Sequence, residues 1–160
     1  MVTHIYFDWS GTLAKSDGLR RRTRKKGYCK MIYSDVKPML QYLCSKGYIL
    51  GMITNSDRDV SYLIRCLSKY GLLPYIKGSI IVARMDGMKE KPSPVIFRSA
   101  LEKDGVKPSD ALMVGNNYSK DVIGAKKMGL KAAFVDRHNE GPKGKEDIYI
   151  RNILELGMYL

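Results

Sequence analysis

Hydrophobic positions along the chain fall into short unbroken runs that alternate with stretches of helical period. The first run is His4-Ile5-Tyr6-Phe7-Asp8, and others follow at 48–53, 80–83, 111–114 and 132–135. Short apolar runs bounded by turn residues fit strands buried on both faces of a sheet. Between the first two, Val36, Met39, Leu40, Leu43 and Cys44 keep the spacing of one helix face, with Ser34 as the expected cap and Gly47 as the stop. Val60, Leu63, Ile64 and Leu67 repeat that pattern behind a cap at Ser56 or Asp57. Ser93-Pro94 opens a third helix bearing Val95, Ile96, Phe97, Ala100 and Leu101. Short helices are expected over 121–128 and 148–156. Strands alternating with helices predict parallel βαβ units with right-handed crossovers. The expected fold is α/β: a three-layer, doubly wound, Rossmann-like sheet of about five parallel strands, in a single domain over 1–160.

Composition narrows the picture. At 44% hydrophobic residues in 160, the chain can bury a core and is too apolar for general disorder. No apolar run nears the ~20 residues of a membrane span, and no basic segment followed by an apolar stretch opens the chain as a secretory signal would. Three cysteines, Cys29, Cys44 and Cys66, are odd in number and lack CxxC spacing. That pattern predicts reduced thiols and a cytoplasmic setting.

With 28 basic against 16 acidic residues, the net charge is +12, which suits an anionic partner. Six cations in seven positions make up Arg20-Arg21-Arg22-Thr23-Arg24-Lys25-Lys26, inside a flap at 14–33 that has no clean period. The run could steer a polyanion such as nucleic acid. The plainer expectation is a solvated loop, because only Tyr28 and Tyr33 stand near it to stack on bases.

The chemistry gathers at strand ends. Asp8 closes the first strand, and Ser10-Gly11-Thr12 turns sharply behind it. Thr54 and the Gly115-Asn116-Asn117 turn follow other strands, and all C-termini of a parallel sheet lie along one edge. Lys91, before the third helix, and Asp121 can reach the same place. Acid, hydroxyl and ammonium together suit phosphoryl oxygens beside a hard divalent cation. His4 reads as a strand residue and His138 as solvated. Trp9 either lines the pocket or packs, and Lys89 is a poorer candidate than Lys91 because it lacks the Pro-Ser-Pro context.

In four ordered motifs the sequence resembles the haloacid dehalogenase-like hydrolases, mostly phosphatases: Asp8-Trp9-Ser10-Gly11-Thr12, Thr54 in Ile53-Thr54-Asn55-Ser56, Lys91-Pro92-Ser93-Pro94, and Gly115-Asn116-Asn117 with Asp121, Gly124 and Ala125. The resemblance implies that Asp8 is a nucleophile forming an aspartyl-phosphate. It implies that Thr54, the Asn55 backbone and Lys91 hold the phosphoryl group. Mg2+ would be bound by Asp8, the Ser10 carbonyl, Asn116 and Asp121, with Asp121 alternatively orienting Lys91. The family's second aspartate is Ser10 here, and the first acid of its fourth motif is Asn116. Serine cannot serve as a near-neutral general acid, a loss of ~10²–10⁴-fold, so slow turnover is expected.

The intervals from Asp8 to Thr54 and from Thr54 to Lys91 are too short for a cap domain, which implies a capless member open to bulky phosphorylated substrates. Two other readings stay open. One is a catalytically impaired binding protein for a phosphorylated or nucleic-acid partner. The other is a dehalogenase or phosphonatase, which the lack of a cap disfavours.

Overall fold

The computed structural model describes residues 1–16, 28–84 and 87–160. The basic run at 20–26 lies outside the described residues. Six parallel strands form one sheet in the order β3-β2-β1-β4-β5-β6. They are β1 (His4–Phe7), β2 (Ile49–Ser56), β3 (Ile76–Arg84), β4 (Ala111–Gly115), β5 (Lys131–Val135) and β6 (Ile148–Ile150). The order reverses between β1 and β4, the switch point where open α/β sheets leave a crevice at their C-terminal edge.

Alternation along β1 shows how the sheet is buried. Ile5 and Phe7 enter one core, with helices α1 (Val36–Ser45) and α2 (Val60–Lys69), while Tyr6 enters a second beneath α3 (Pro94–Asp104) and α4 (Gly124–Lys127). All three β1 side chains are fully buried, as the unbroken apolar run requires. The face carrying Tyr6 holds a polar knot: the Tyr6 hydroxyl donates to Asp104 Oδ2 at 2.7 Å, and the Ser79 hydroxyl donates to the same oxygen at 2.9 Å. Burial and the carboxylate together push the Tyr6 phenol above its ordinary pKa.

Several local expectations shift. Asp35, not Ser34, flanks α1. Asp59 caps α2 by accepting from the Tyr62 N–H at 2.9 Å, while the Ser56 hydroxyl turns to the Arg58 N–H. Leu63 and Leu67 are buried as expected and Val60 packs on the core, with Tyr62 and Cys66 buried beside them and Ile64 exposed. The final stretch is not one helix: β6 comes first, then 3₁₀ turns over Ile153–Met158 capped by Asn152. The Ile-Tyr-Ile run pairs with β5 because that edge is otherwise open. The thiol expectation is also corrected: Cys29 and Cys66 form a disulfide (Cα–Cα 5.4 Å), and Cys44 is free. It ties the return arm of the flap to α2, so the argument from cysteine count to a cytoplasmic setting falls away. No helix among the described residues is long and apolar enough to cross a membrane.

Candidate active site

Asp8 emerges from β1 at the switch point with its N–H on the Val114 carbonyl of β4 (3.0 Å). Its side chain is buried among donors. Thr54 at 3.0 Å and Lys91 at 2.8 Å both hydrogen-bond Oδ1. Among the described residues Oδ2 takes no hydrogen bond, and Asp8 lines a cleft of about 240 Å³ with Ser10, Asn55, Lys91, Asn116 and Asp121. The residues expected from the sequence are therefore brought together.

Lys91 is the hub. Its ammonium donates to Asp8 Oδ1, to the Ile53 carbonyl at 2.7 Å and to Asp121 Oδ1 at 2.6 Å, which engages all three hydrogens. Burial favours the neutral amine, but the Asp121 and Asp8 carboxylates outweigh it and hold the Lys91 pKa above its ordinary value. Burial pushes Asp121 up to about 6, with the Asp8 charge adding to the shift and Lys91 opposing it. Two carboxylates facing one ammonium leave the cluster with an excess negative charge.

The supporting turns are built for close approach. Asp121 sits in a π-helical turn over Tyr118–Ile123, where Oδ2 accepts from the Asn117 N–H at 2.9 Å. A Cβ on Gly115 would collide with the Asp121 carboxylate, so only glycine lets that side chain lie against the end of β4. Gly11, at φ +87°, allows the Ser10-Gly11-Thr12 turn and leaves room for Asn116, whose Cγ would lie 2.7 Å from any Cβ there.

Three features escaped the sequence reading. The Asn55 side chain clamps the Lys91 backbone, accepting from its N–H at 2.8 Å and donating to its carbonyl at 3.0 Å. The buried Thr12 hydroxyl accepts from the Asn116 N–H and donates to Asn116 Oδ1 (3.0 and 3.1 Å). Ser10 Oγ accepts from the Lys30 ammonium at 2.6 Å, so the flap reaches the position where an acid was missing. Asn55 and Thr12 lie within the recognised motifs, which was the available signal, whereas no spacing connects Lys30 to Ser10, twenty positions away. Trp9 is buried on the wall of a neighbouring cavity, His4 hydrogen-bonds Thr3, and His138 is exposed.

The donors fit a hard cation. No group of three or more His, Cys, Asp and Glu residues converges among the described residues. Yet Asp8 Oδ2, Asp121 and the Asn116 amide are oxygen donors on one cleft. Mg2+ commonly takes one or two carboxylates and completes its shell with water and substrate phosphate.

The chain is similar to known proteins in sequence and in fold. Residues 7–135 match the model of the haloacid dehalogenase-like hydrolases. The chain is 32% identical over 124 residues to haloacid dehalogenase-like hydrolase domain-containing protein 3 of Danio rerio, covering 78% of this chain and 49% of that protein. It is 32% identical over 130 residues to a phosphoserine phosphatase of Thermus thermophilus, with the same coverage. Among solved structures, a HAD phosphatase from Thermococcus onnurineus superposes with a TM-score of 0.71 at 35% identity, covering 81% of this chain and 58% of that one. The chain spans about half the length of the curated relatives it matches.

Proposed function

The chain belongs to the haloacid dehalogenase-like hydrolases, and on that premise we propose that it is a capless, magnesium-dependent phosphomonoesterase working through an aspartyl-phosphate on Asp8. One observation carries the reading. Thr54 and Lys91 both bind Oδ1 of Asp8, which fixes the carboxylate and presents Oδ2 to the cleft as the nucleophile. The phosphatase names of relatives support the reaction class.

Oδ2 attacks phosphorus in line, its bond to phosphorus forms, and the ester oxygen departs with its electron pair and takes a proton from solvent water. Water then adds to phosphorus, the Oδ2–phosphorus bond breaks, and inorganic phosphate leaves with the carboxylate regenerated. Lys91 holds Asp8 in place before attack. Once Oδ2 is esterified the Asp8 charge is lost, and an ammonium hydrogen can turn to the phosphoryl oxygens. Asp121 keeps that ammonium aimed, and the Asn55 clamp keeps the Lys91 backbone in place. Mg2+, held by Asp8, the Ser10 carbonyl, Asn116 and Asp121, would supply positive charge for the phosphate. Ser10 offers a hydroxyl tied to Lys30 where a carboxyl would serve as general acid, so turnover is slow.

The test is hydrolysis of an aryl phosphate and trapping of phosphoenzyme, with and without Mg2+, in wild type, Asp8→Asn and Ser10→Asp. Turnover is expected to vanish in Asp8→Asn and to rise about tenfold or more in Ser10→Asp, within the range of general-acid assistance. Folded protein with no phosphoenzyme and no turnover in any of the three would leave a binding protein as the better reading.

A further inference from the structure

The net charge is gathered in one part of the chain. Residues 20–84 hold 14 of the 28 basic and 3 of the 16 acidic residues, so they carry +11 of the total +12. Leaving out the run at 20–26, the balance is still 8 against 3, whereas residues 85–160 come to 13 against 11. The basic stretch includes α1, β2, α2 and β3, which lie toward one end of the sheet. Neither α1 nor α2 contains an acidic residue. Of the three acids, Asp35 is paired with Arg137 and Asp59 accepts from the Tyr62 N–H, which leaves Asp57. Charge asymmetry of this kind points to a polyanion.

The surplus is laid out as a path from the cleft. A second cavity, of about 300 Å³, opens beside the Asp8 cleft, and Ser10, Asn55 and Lys120 line both. Lys30, Arg58 and Arg84 join Lys120 on its walls against one acid, Asp57, with Arg84 paired to Glu90. α2 begins just past the C-terminal end of β2, so it leads from this cavity down the flank of the molecule. Arg58 and Arg65 lie over one ring, that of Tyr62, at 5.3 and 5.6 Å from its centre. Lys69 follows one turn beyond Arg65, and both are exposed. The rise from Arg58 to Lys69 is roughly 16 Å, a length that several successive phosphates of one strand occupy.

We propose that these cations form a track for single-stranded nucleic acid, and that the substrate phosphate is the monoester at the end of such a strand. The inference rests on the phosphomonoesterase reading for the substrate, though not for the track. One chain then supplies the reacting group and the anions behind it: the terminal phosphate meets Oδ2 of Asp8, and the following phosphodiesters cross the second cavity and run along α2. The cations line a concavity and a helix flank, which a flexible strand follows and a flat membrane does not. A cleft of about 240 Å³ takes the end of one strand. Trp9 and Tyr62, the rings beside the second cavity, are buried, so the track reads phosphates and not bases, and binding is independent of sequence.

Binding and turnover test the proposal separately. In Asp8→Asn protein, fluorescence anisotropy follows a labelled thymidine hexanucleotide with a phosphate on its unlabelled end. It should bind at least tenfold more tightly than thymidine monophosphate, which competes for the cleft alone. The logarithm of its affinity should fall with that of salt concentration at a slope of about −3, the value for about four cations on a single strand. Adding Arg65→Gln and Lys69→Gln, two exposed positions, should weaken the hexamer about tenfold and bring the slope to about −1.5. Adding Lys103→Gln and Lys107→Gln, exposed cations at the end of α3, removes the same charge and should change affinity less than twofold. In wild type, kcat/KM for the phosphorylated hexamer should exceed that for thymidine monophosphate by at least tenfold. Hexamers phosphorylated at the 5′ or the 3′ end tell which end enters.

Tight, salt-dependent binding of a hexamer that wild type does not hydrolyse would sustain the track and sink the phosphatase reading. Turnover of an aryl phosphate, with the hexamer bound no more tightly than the monophosphate, would overturn the track and leave that reading standing. Equal weakening by the two pairs of substitutions would overturn it too, by showing attraction to overall charge alone. So would tighter binding to an acidic phosphoserine peptide or to phosphatidylserine vesicles than to the hexamer.

Discussion

Two ionic clusters buried among the described residues are built on opposite plans. At the switch point Lys91 faces two carboxylates, Asp8 and Asp121, and one carboxylate oxygen has no partner. Across the α1 face, Arg137 meets Asp35 one to one. Nη1 lies 3.0 Å from Oδ2, Nη2 bonds Oδ1 at 3.2 Å and also the Thr12 carbonyl at 2.8 Å, and Asp35 Oδ2 accepts from the Ile153 N–H. The guanidinium also lies over the Tyr33 ring at 3.7 Å. The pair joins the Asp8 turn, the start of α1 and the C-terminal turns, one cation to one carboxylate. Excess charge together with an uncommitted lone pair distinguishes a site prepared for a ligand from one that only holds the fold.

Lys91→Met breaks the comparison hardest. Activity should fall about 10²–10³-fold or more, the usual cost of removing a charge aimed at the reacting group. Stability should fall by roughly 3–5 kcal/mol, because two buried carboxylates are left facing each other. Adding Asp121→Asn removes one of those charges. The double variant should regain most of the melting temperature and none of the turnover. Urea unfolding and an aryl phosphate assay on the same samples separate the two effects.

Arg137→Met should cost a similar 3–5 kcal/mol by leaving Asp35 buried and unpaired. Activity per folded molecule should fall less than tenfold, since Arg137 touches the Thr12 carbonyl and not the cleft. Arg137→Met with Asp35→Leu should recover part of the loss, though the Ile153 N–H would then lack its acceptor. If Arg137→Met silenced the enzyme as thoroughly as Lys91→Met does, while staying folded, the division between the two clusters would fail.

The two clusters also differ in how far the sequence revealed them. Asp8, Thr54, Lys91 and Asp121 could be read because each follows a strand or precedes a helix in a fixed order, and a parallel sheet sends all such ends to one edge. Arg137 could not: a cation in a Gly/Pro-bearing charged loop reads as solvated, and only the tertiary fold lays Tyr33 and Asp35 against it. The same holds for the Cys29–Cys66 disulfide, whose partners are 37 positions apart and meet because the flap returns over α2. β6 was missed because three residues are too few to show a period. The inner face of α2 was legible at Leu63 and Leu67, while Tyr62 and Cys66 take the inward place expected of Ile64. The membership of the second cavity depends on side-chain contacts that no spacing encodes.

The smallest effect is a pH profile with two limbs of opposite sign, measured on metal-free protein. Asp121 has its carboxyl raised to about 6 from an ordinary 3.8. Between those values the native state holds a proton that the unfolded chain has lost, so stability falls as pH rises from about 4 to about 6. Asp136, next to Arg137, behaves in the contrary way. Burial opposes its charged form, but backbone N–H groups of the 138–141 turn and the Tyr149 hydroxyl at 2.8 Å bind the carboxylate and hold it down at about 2. Its contribution is complete above about pH 4 and is lost as pH falls through about 2, for a total of about 2 kcal/mol. Wild type should therefore be most stable near pH 4 with respect to these two groups. Asp121→Asn should flatten the limb above that pH, and Asp136→Asn the limb below it. Urea midpoints at half-unit pH steps resolve both, and identical slopes in wild type and Asp121→Asn between pH 4 and 6 would show that burial does not raise the Asp121 carboxyl.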